Sequence, residues 1–488
     1  MKIGKPLKIL HVASEIAPFS KTGGLGDVLG ALPSAQSRLG DEVAVVTPLY
    51  KTIDRSAHGL VRWLRRISVP LGDDVVEVGL WEGRPPRGSD VRLYFIEHEP
   101  SFGRDGLYGD AHGEFGDNAR RFVLLGRAAL VLAAHLERWP DVVHAHDWQA
   151  GPALIYADGT EGLPRPKRVL TIHNLAYRGL FPPTIVDELG LPRAMFSPAG
   201  FEFWGQVSFL KAGIVLADRI TTVSPRYATE MREPDAGWGL DGLLRARGKA
   251  VSGILNGVDY DLWNPERDLA LATQYSSAEL AGKRPCKTAL QHELGLPLRP
   301  DTPLSGSVTR LTEQKGIDLL VAALPRMLEE DHQMIILGSG DGGLASQLTE
   351  LGRRFPKKLA VRLGYDDGLA HRVQAGADLF VMPSRFEPCG LAQLYALRYG
   401  TPPVVRAVGG LYDTVVDYEP RSQTGTGFVF GPLDVDALCH AWQRALFAYR
   451  GPAAEWLGLM RRGMAQDFSW ATAASRYREL YLQANAER

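Results

Sequence analysis

The sequence predicts an α/β protein made of two doubly wound domains that face each other across a cleft. Three observations predict it. Apolar runs of strand length alternate with helical segments along the chain, as expected for parallel strands covered on both faces. The alternation stops at the turn Asn256-Gly257-Val258-Asp259 and then starts again. Polar and glycine-rich residues gather at the carboxyl ends of the runs, where open α/β sheets bind ligands. A chain of 488 residues is also long for a single core.

In the first half, Lys8 to Ser14 reads as a strand and Val28 to Leu39 as a helix. The loop between them, with Lys21-Thr22-Gly23-Gly24, has the strand, glycine loop and helix order of a phosphate cradle. It fits neither the dinucleotide fingerprint nor a Walker A loop. Two readings stay open: a ligand loop, or glycines serving a tight turn with Lys21 on a solvated surface. Glu42 to Leu49, Val75 to Leu80 and Val91 to Ile96 are further strands, and Asn118 to Leu136 is a long helix with apolar residues at helical spacing. Asp141 to Trp148 is a strand ending in His144-Ala145-His146-Asp147, and Arg168 to Ile172 is another, ending in His173-Asn174. A metal held by His144, His146 and Asp147 is the less favoured reading, because no further ligands lie close in sequence. For His173 the alternative is a buried structural histidine. Asp218 to Val223 and Val251 to Leu255 complete the half.

The second half places strands at Leu304–Val308, Met334–Leu337, Leu359–Arg362, Ala377–Met382, Pro403–Arg406 and Gly427–Phe430, with helices between. Arg310 and Lys315 fall in the loop after the first of these and form a possible diphosphate clamp. The stretch Pro383 to Val415 carries the densest signal. A buried strand ends in a loop with Glu387 and Gly390, and the next strand ends in Gly409-Gly410, read as a diglycine turn with bare amides suited to an anion. A carboxylate beside a phosphate nest points to a sugar nucleotide. Gly338 to Gly342 is either a nucleotide wall or a flexible turn. Asp366-Asp367 reads as a solvated turn, Asp434-Val435-Asp436 as a helix start, and Trp456 to Ala486 as a helical tail. No metal site is expected.

Composition excludes other classes. The formal net charge of -1 gives no electrostatic footprint for nucleic acid or a membrane surface. Cys286, Cys389 and Cys439 are far apart and form no disulfide framework, which suits a reducing cytoplasm. The N-terminus has no signal-peptide core, and no apolar run is long enough to span a bilayer.

Five stretches carry a resemblance: Lys21 to Leu25, His144 to Trp148, Thr171 to Asn174, Ile254 to Asp259 and Arg385 to Leu391. They resemble bacterial glycogen synthases and plant starch synthases, in family order over nearly the whole chain. The resemblance implies a GT-B type fold of two Rossmann-like domains. An acceptor-side domain would cover residues 1–250, joined by a C-terminal helix over 466–488, and a nucleotide-sugar domain would cover 257–465. It implies a cofactor-free retaining glucosyltransferase that moves glucose from ADP-glucose to the non-reducing end of a glycogen or α-1,4-glucan primer.

By that resemblance, Arg310 and Lys315 would neutralise the donor diphosphate, with the amides of Gly409, Gly410 and Leu411 as a second cradle. Lys21, Gly23 and Gly24 would approach the same phosphates on domain closure. Asp147, His173 and Asn256 would hold the glucose and the acceptor side. Glu387 would bind glucose hydroxyls, Cys389, Gly390 and Leu391 would line the donor site, and Tyr365 would stack on adenine. Two positions depart from the wider pattern. Tyr395 stands where related transferases carry a second Glu, and is read as packing. Ala392 stands where Thr is frequent, which removes one hydroxyl near the phosphate. The rival readings are another enzyme on the same fold, such as a pyridoxal-dependent phosphorylase or an epimerase, use of UDP-glucose, and a glucan-binding protein without turnover.

Overall fold

The computed structural model describes residues 5–86, 88–157 and 163–486; positions 1–4 and 487–488 of the two outer ranges above lie outside it. The chain forms two compact units. One comprises residues 1–223, 228–257 and 470–488, the other 224–227 and 258–469.

The first unit is built on a sheet that has ten strands among the described residues. Seven lie parallel in the order Val251–Gly253, Arg219–Thr222, Lys167–Ile172, Val142–His146, Lys8–Val12, Glu42–Pro48 and Arg92–Glu97. Asp74–Gly83 then adds an antiparallel edge, with Val61–Arg62 and Ile67–Leu71 paired to it. Counted along the chain, the parallel strands run 3-2-1-4-5-6-7. The order reverses between Lys8–Val12 and Val142–His146. At such a switch point the connecting helices leave on opposite faces, and a crevice opens beyond the strand ends. The helix Trp470–Ala486 packs on Gly24–Arg38 and buries Trp470, Tyr477 and Tyr481. A Cβ at Gly257 would lie 2.6 Å from the Trp470 indole, so this crossing requires glycine.

The second unit holds a six-stranded parallel sheet in the order Leu359–Leu363, Gln333–Gly340, Leu304–Leu311, Leu379–Met382, Pro403–Arg406 and Phe428–Phe430. In chain order this is again 3-2-1-4-5-6, with the switch point between Leu304–Leu311 and Leu379–Met382. A large apolar core packs against the sheet, and a smaller one gathers around Phe380, Leu397 and Leu411.

Several local expectations change. The strand Leu304–Leu311 runs three residues past Val308, so Arg310 is a strand residue and only Lys315 belongs to the turn that follows. Gly338 to Gly340 are also strand. Pairing with Leu304–Leu311 extends both beyond their apolar stretch, and apolar content was the only visible signal. Asp366 and Asp367 are exposed, as expected, but they start a helix and do not form a turn: the Asp366 carboxylate accepts from the Leu369 amide at 2.8 Å, and Asp367 opens the helix Asp367–Gly376. Asp434 does cap a helix, accepting from the Ala437 amide. The tail is two helices, Ala453–Met464 and Trp470–Ala486, broken at residues 465–469.

Candidate active site

At the switch point of the second unit, two loops are locked together by glycine. Lys315 ends a short turn, and Gly316 follows with φ +66°. A Cβ on Gly316 would lie 2.0 Å from the Pro383 carbonyl, so only glycine lets the loop after Leu304–Leu311 touch the loop after Leu379–Met382. The Arg385 amide donates to the Gln314 carbonyl at 2.9 Å, and the Arg385 guanidinium pairs with Asp318. This contact carries Lys315 Nζ to 2.6 Å from Glu387 Oε2, which also accepts from Ser384 Oγ at 3.0 Å. Glu387 is buried, and a buried carboxylate is tolerated when it is paired and hydrogen-bonded. Arg310, at the end of the adjacent strand, is exposed, and its guanidinium makes no hydrogen bond or ion pair among the described residues.

The diglycine serves a purpose other than the one its sequence suggests. Gly410 N–H donates to the Glu387 carbonyl at 3.0 Å and Leu411 N–H to the Val408 carbonyl at 3.0 Å. The amides of Gly410 and Leu411 are therefore not bare, and the anion cradle read from them is corrected. The glycines instead permit contact. A Cβ at Gly409, where φ is +42°, would lie 2.0 Å from the Glu387 carbonyl, and one at Gly410 2.0 Å from the Cys389 carbonyl. Cys389 is buried, Gly390 has φ +71°, and Leu391 caps the helix Ala392–Arg398. Tyr395 stacks on Trp263, with centroids 3.8 Å apart and planes at 4°, a packing role. Tyr365 is exposed, and its hydroxyl donates to Asp367 at 2.8 Å.

At the switch point of the first unit the Lys21 loop is closed by an acidic residue that spacing alone does not single out. The Glu15 carboxylate accepts from Thr22 N–H at 2.6 Å, Thr22 Oγ1 at 2.6 Å and Gly23 N–H at 3.4 Å. Tyr108 Oη adds a fourth bond at 2.6 Å. Gly24 opens the helix Gly24–Arg38, and Lys21 Nζ pairs with Asp27 at 2.7 Å. The nest that resembles a phosphate cradle is thus occupied by a side-chain anion.

Across the switch point, Asp147 has φ +56°, a strained backbone for a residue other than glycine and one that favours functional positions. Its carboxyl accepts from the amides of His173 at 2.7 Å and Asn174 at 3.4 Å. Burial outweighs these bonds and raises its pKa to about 7, so Asp147 titrates near neutrality. His173 is held down at about 3 by burial and is a neutral imidazole at any working pH. Asn256 is buried, and its Oδ1 has no hydrogen-bond partner among the described residues. His144 and His146 do converge, but with His11 and not Asp147. One ligand atom from each of the three imidazoles lies within 4.8 Å of the others. Register explains this, because His11 stands opposite His144 on the neighbouring strand.

Two parallel α/β units with charged groups collected at their switch points define a class of ligand-handling enzymes, and comparison with known proteins specifies it. Residues 8–246 match the model of the starch synthase catalytic domain, and residues 295–447 that of the glycosyl transferases group 1. A glycogen synthase of Anaeromyxobacter sp. (strain Fw109-5) is 52% identical over 97% of this chain and 99% of its own. The glycogen synthase of Anaeromyxobacter dehalogenans (strain 2CP-1 / ATCC BAA-258) is 50% identical over 97% and 98%. Among solved structures, the catalytic domain of starch synthase IV from Arabidopsis thaliana, bound to ADP and acarbose, superposes with a TM-score of 0.92 at 33% identity, covering 99% of this chain and 100% of that one. The protein is a glycosyltransferase with the GT-B fold. Within that class, the chain belongs to the family of bacterial glycogen synthases and plant starch synthases.

Proposed function

We propose that this protein is a glycogen synthase, transferring glucose with retention from ADP-glucose to the non-reducing end of an α-1,4-glucan and releasing ADP. The observation that carries the reading is Lys315 in contact with buried Glu387 beside the unpaired guanidinium of Arg310, at the point where the second sheet reverses its strand order. The close likeness to a starch synthase bound to ADP and acarbose supports the donor and acceptor classes. In this reading the second unit is the nucleotide-sugar domain, and the first, with its C-terminal helix, is the acceptor-side domain.

The mechanism follows from where charge develops. As the glucosyl–phosphate bond breaks, negative charge grows on the diphosphate and positive charge on the sugar. Arg310, a planar fork, and Lys315, a point charge, stabilise the leaving group. Glu387 holds Lys315 in place and accepts from glucose hydroxyls. The acceptor hydroxyl attacks from the face the diphosphate leaves, and the departing phosphate takes its proton, so configuration is retained. Neutral His173, Asp147 and the unpartnered Asn256 amide oxygen take sugar hydroxyls on the other unit. Tyr365, exposed near the end of Leu359–Leu363, is the stacking surface for adenine. No helix among the described residues is long and apolar enough to cross a membrane, and we place the reaction in the cytoplasm, where glucan and sugar nucleotide meet.

The test is glucose incorporation into a glycogen primer, with ADP-glucose and UDP-glucose compared. Incorporation from ADP-glucose is expected. A preference for UDP-glucose would overturn the adenine assignment alone. Incorporation from neither would overturn the synthase reading and favour a glucan-binding protein.

A further inference from the structure

Beneath the first unit's switch point lies a continuous hydrogen-bonded layer that the reaction scheme above does not use. Its members come from four elements. His11 is on Lys8–Val12, His144 and His146 are on Val142–His146, Gln36 is on the helix Gly24–Arg38, and Tyr481 is on the last helix. All five are polar or titratable side chains with no exposed surface. Burial keeps the imidazoles neutral, so each ring has one N–H and one lone pair and the layer must have a direction.

Gln36 sets that direction. Its Nε2 donates to Tyr481 Oη at 3.0 Å, which turns Oε1 toward His11 Nε2, 2.7 Å away. His11 therefore carries its proton on Nε2 and offers the lone pair of Nδ1. That nitrogen lies 2.9 Å from His146 Nε2, so His146 donates from Nε2 and accepts at Nδ1. His146 Nδ1 lies 3.1 Å from His173 Nε2, and His173 donates in turn. The end of the wire is an imidazole whose Nδ1 has a lone pair and no hydrogen-bond partner among the described residues. Reversing the Gln36 amide would reverse every proton and make His173 Nδ1 a donor. His144 is a side branch, bonded to Tyr481 Oη and Thr171 Oγ1 at 2.7 Å each. All six ring nitrogens of His11, His144 and His146 are thus engaged, and a metal at this cluster would have to break these bonds.

We infer that Gln36, His11 and His146 are positioning residues that fix His173 as the Nε2–H tautomer, so that its Nδ1 accepts a hydrogen bond from a sugar hydroxyl. The consequence for turnover rests on the proposal above that His173 contacts the sugar; the tautomer itself does not. Neutral imidazole at a fixed tautomer discriminates between a hydroxyl and a group that cannot donate, and orienting partners of this kind cost activity when removed because the reacting groups lose their alignment.

Long-range proton–nitrogen NMR on the full chain labelled in histidine reads which ring nitrogen carries the proton; the His173 signal is assigned by its loss in His173→Ala. In the unsubstituted protein the proton is expected on His173 Nε2. Gln36→Leu and His146→Phe are expected to give a mixture of His173 tautomers. In glucose transfer they should lower kcat on the order of tenfold while the KM values for donor and primer stay within about twofold. Thr171→Val removes the bonds of this hydroxyl to His144 and to Thr221 but none in the wire; it should lower Tm yet keep both the tautomer and kcat. A proton on Nδ1 of His173 in the unsubstituted protein would overturn the wire, and of the variants this measurement needs only His173→Ala, for the assignment. A loss of kcat in Thr171→Val equal to that in Gln36→Leu, at matched loss of Tm, would reduce the layer to a structural role. An unchanged kcat in His173→Ala would remove the sugar contact while leaving the tautomer assignment to stand or fall on the spectrum.

Discussion

The two sheets share the parallel strand order 3-2-1-4-5-6 and gather the proposed functional groups at the same switch point, yet those groups meet different electrostatic conditions there. Beside the strand Leu304–Leu311, the cation of Lys315 and the anion of Glu387 neutralise each other at 2.6 Å, and Arg310 reaches out to solvent. Beside Lys8–Val12 the loop keeps the Lys21–Asp27 ion pair, but burial suppresses ionisation of the inner groups: His11 sits at about 4 and His173 at about 3, while Asp147 is raised to about 7. A site that neutralises a departing diphosphate needs permanent charge, which survives burial only as a pair. A site that orients uncharged sugar hydroxyls, as proposed for the first unit, needs fixed dipoles, and neutral imidazoles in a buried layer supply them without attracting anions. One fold can carry both because its crevice is built from loops and strand ends, whose residues are independent of the sheet.

The largest expected effect is on the charged side. Lys315→Ala should lower kcat for glucose transfer by on the order of 10²–10³-fold, the usual cost of one lost charge-stabilising group. Glucan binding, measured by sedimentation with glycogen, should stay nearly intact. Unchanged kcat would remove Lys315 from the chemistry and erase the contrast between the two edges. Gly409→Ala should come next. Its Cβ would meet the Glu387 carbonyl at 2.0 Å, so the Glu387 loop must move, and both the urea midpoint and kcat should fall. A variant as stable and active as the parent would mean that the close approach is dispensable.

Asp147→Asn tests the neutral side through its pH dependence. The folded-state pKa of Asp147 is raised above its unfolded value of 3.8 by burial. As pH rises from about 4 to about 7 the unfolded state gives up this proton and the folded state keeps it, so the residue costs stability progressively over that window. Asparagine keeps the acceptor for the His173 amide and cannot ionise. The difference in Tm, variant minus parent, should therefore grow between pH 4 and 7 and then level off. A difference that stays flat would show that Asp147 is not a raised carboxyl. The smallest effect is expected at Ala392, at the start of the helix Ala392–Arg398. Ala392→Thr restores a hydroxyl near the proposed phosphate position and should tighten the donor KM by an amount worth ~1 kcal/mol. An unchanged KM would show that the hydroxyl has no role here.

Much of this architecture is legible in the sequence. Buried parallel strands read as apolar runs, and the restart after Asn256 separates two α/β alternations because each domain must build its own core. The strand ends carrying Asp147, His173, Arg310 and Lys315 stand out because polar residues there interrupt apolar runs. Sequence therefore determined the fold class, the family resemblance and most residues at the two switch points. It could not decide what each polar group spends its hydrogen bonds on. The amides of Gly23 and Gly410 look alike as glycine-loop donors, yet one is taken by Glu15 at 3.4 Å and the other by the Glu387 carbonyl at 3.0 Å. His11 and His146 are 135 residues apart and meet at 2.9 Å only because strand order and register place them side by side. Local pattern reports which face a residue occupies. Which groups share that face depends on the pairing of distant strands, and burial then fixes their charge, so these were decided by the tertiary structure alone.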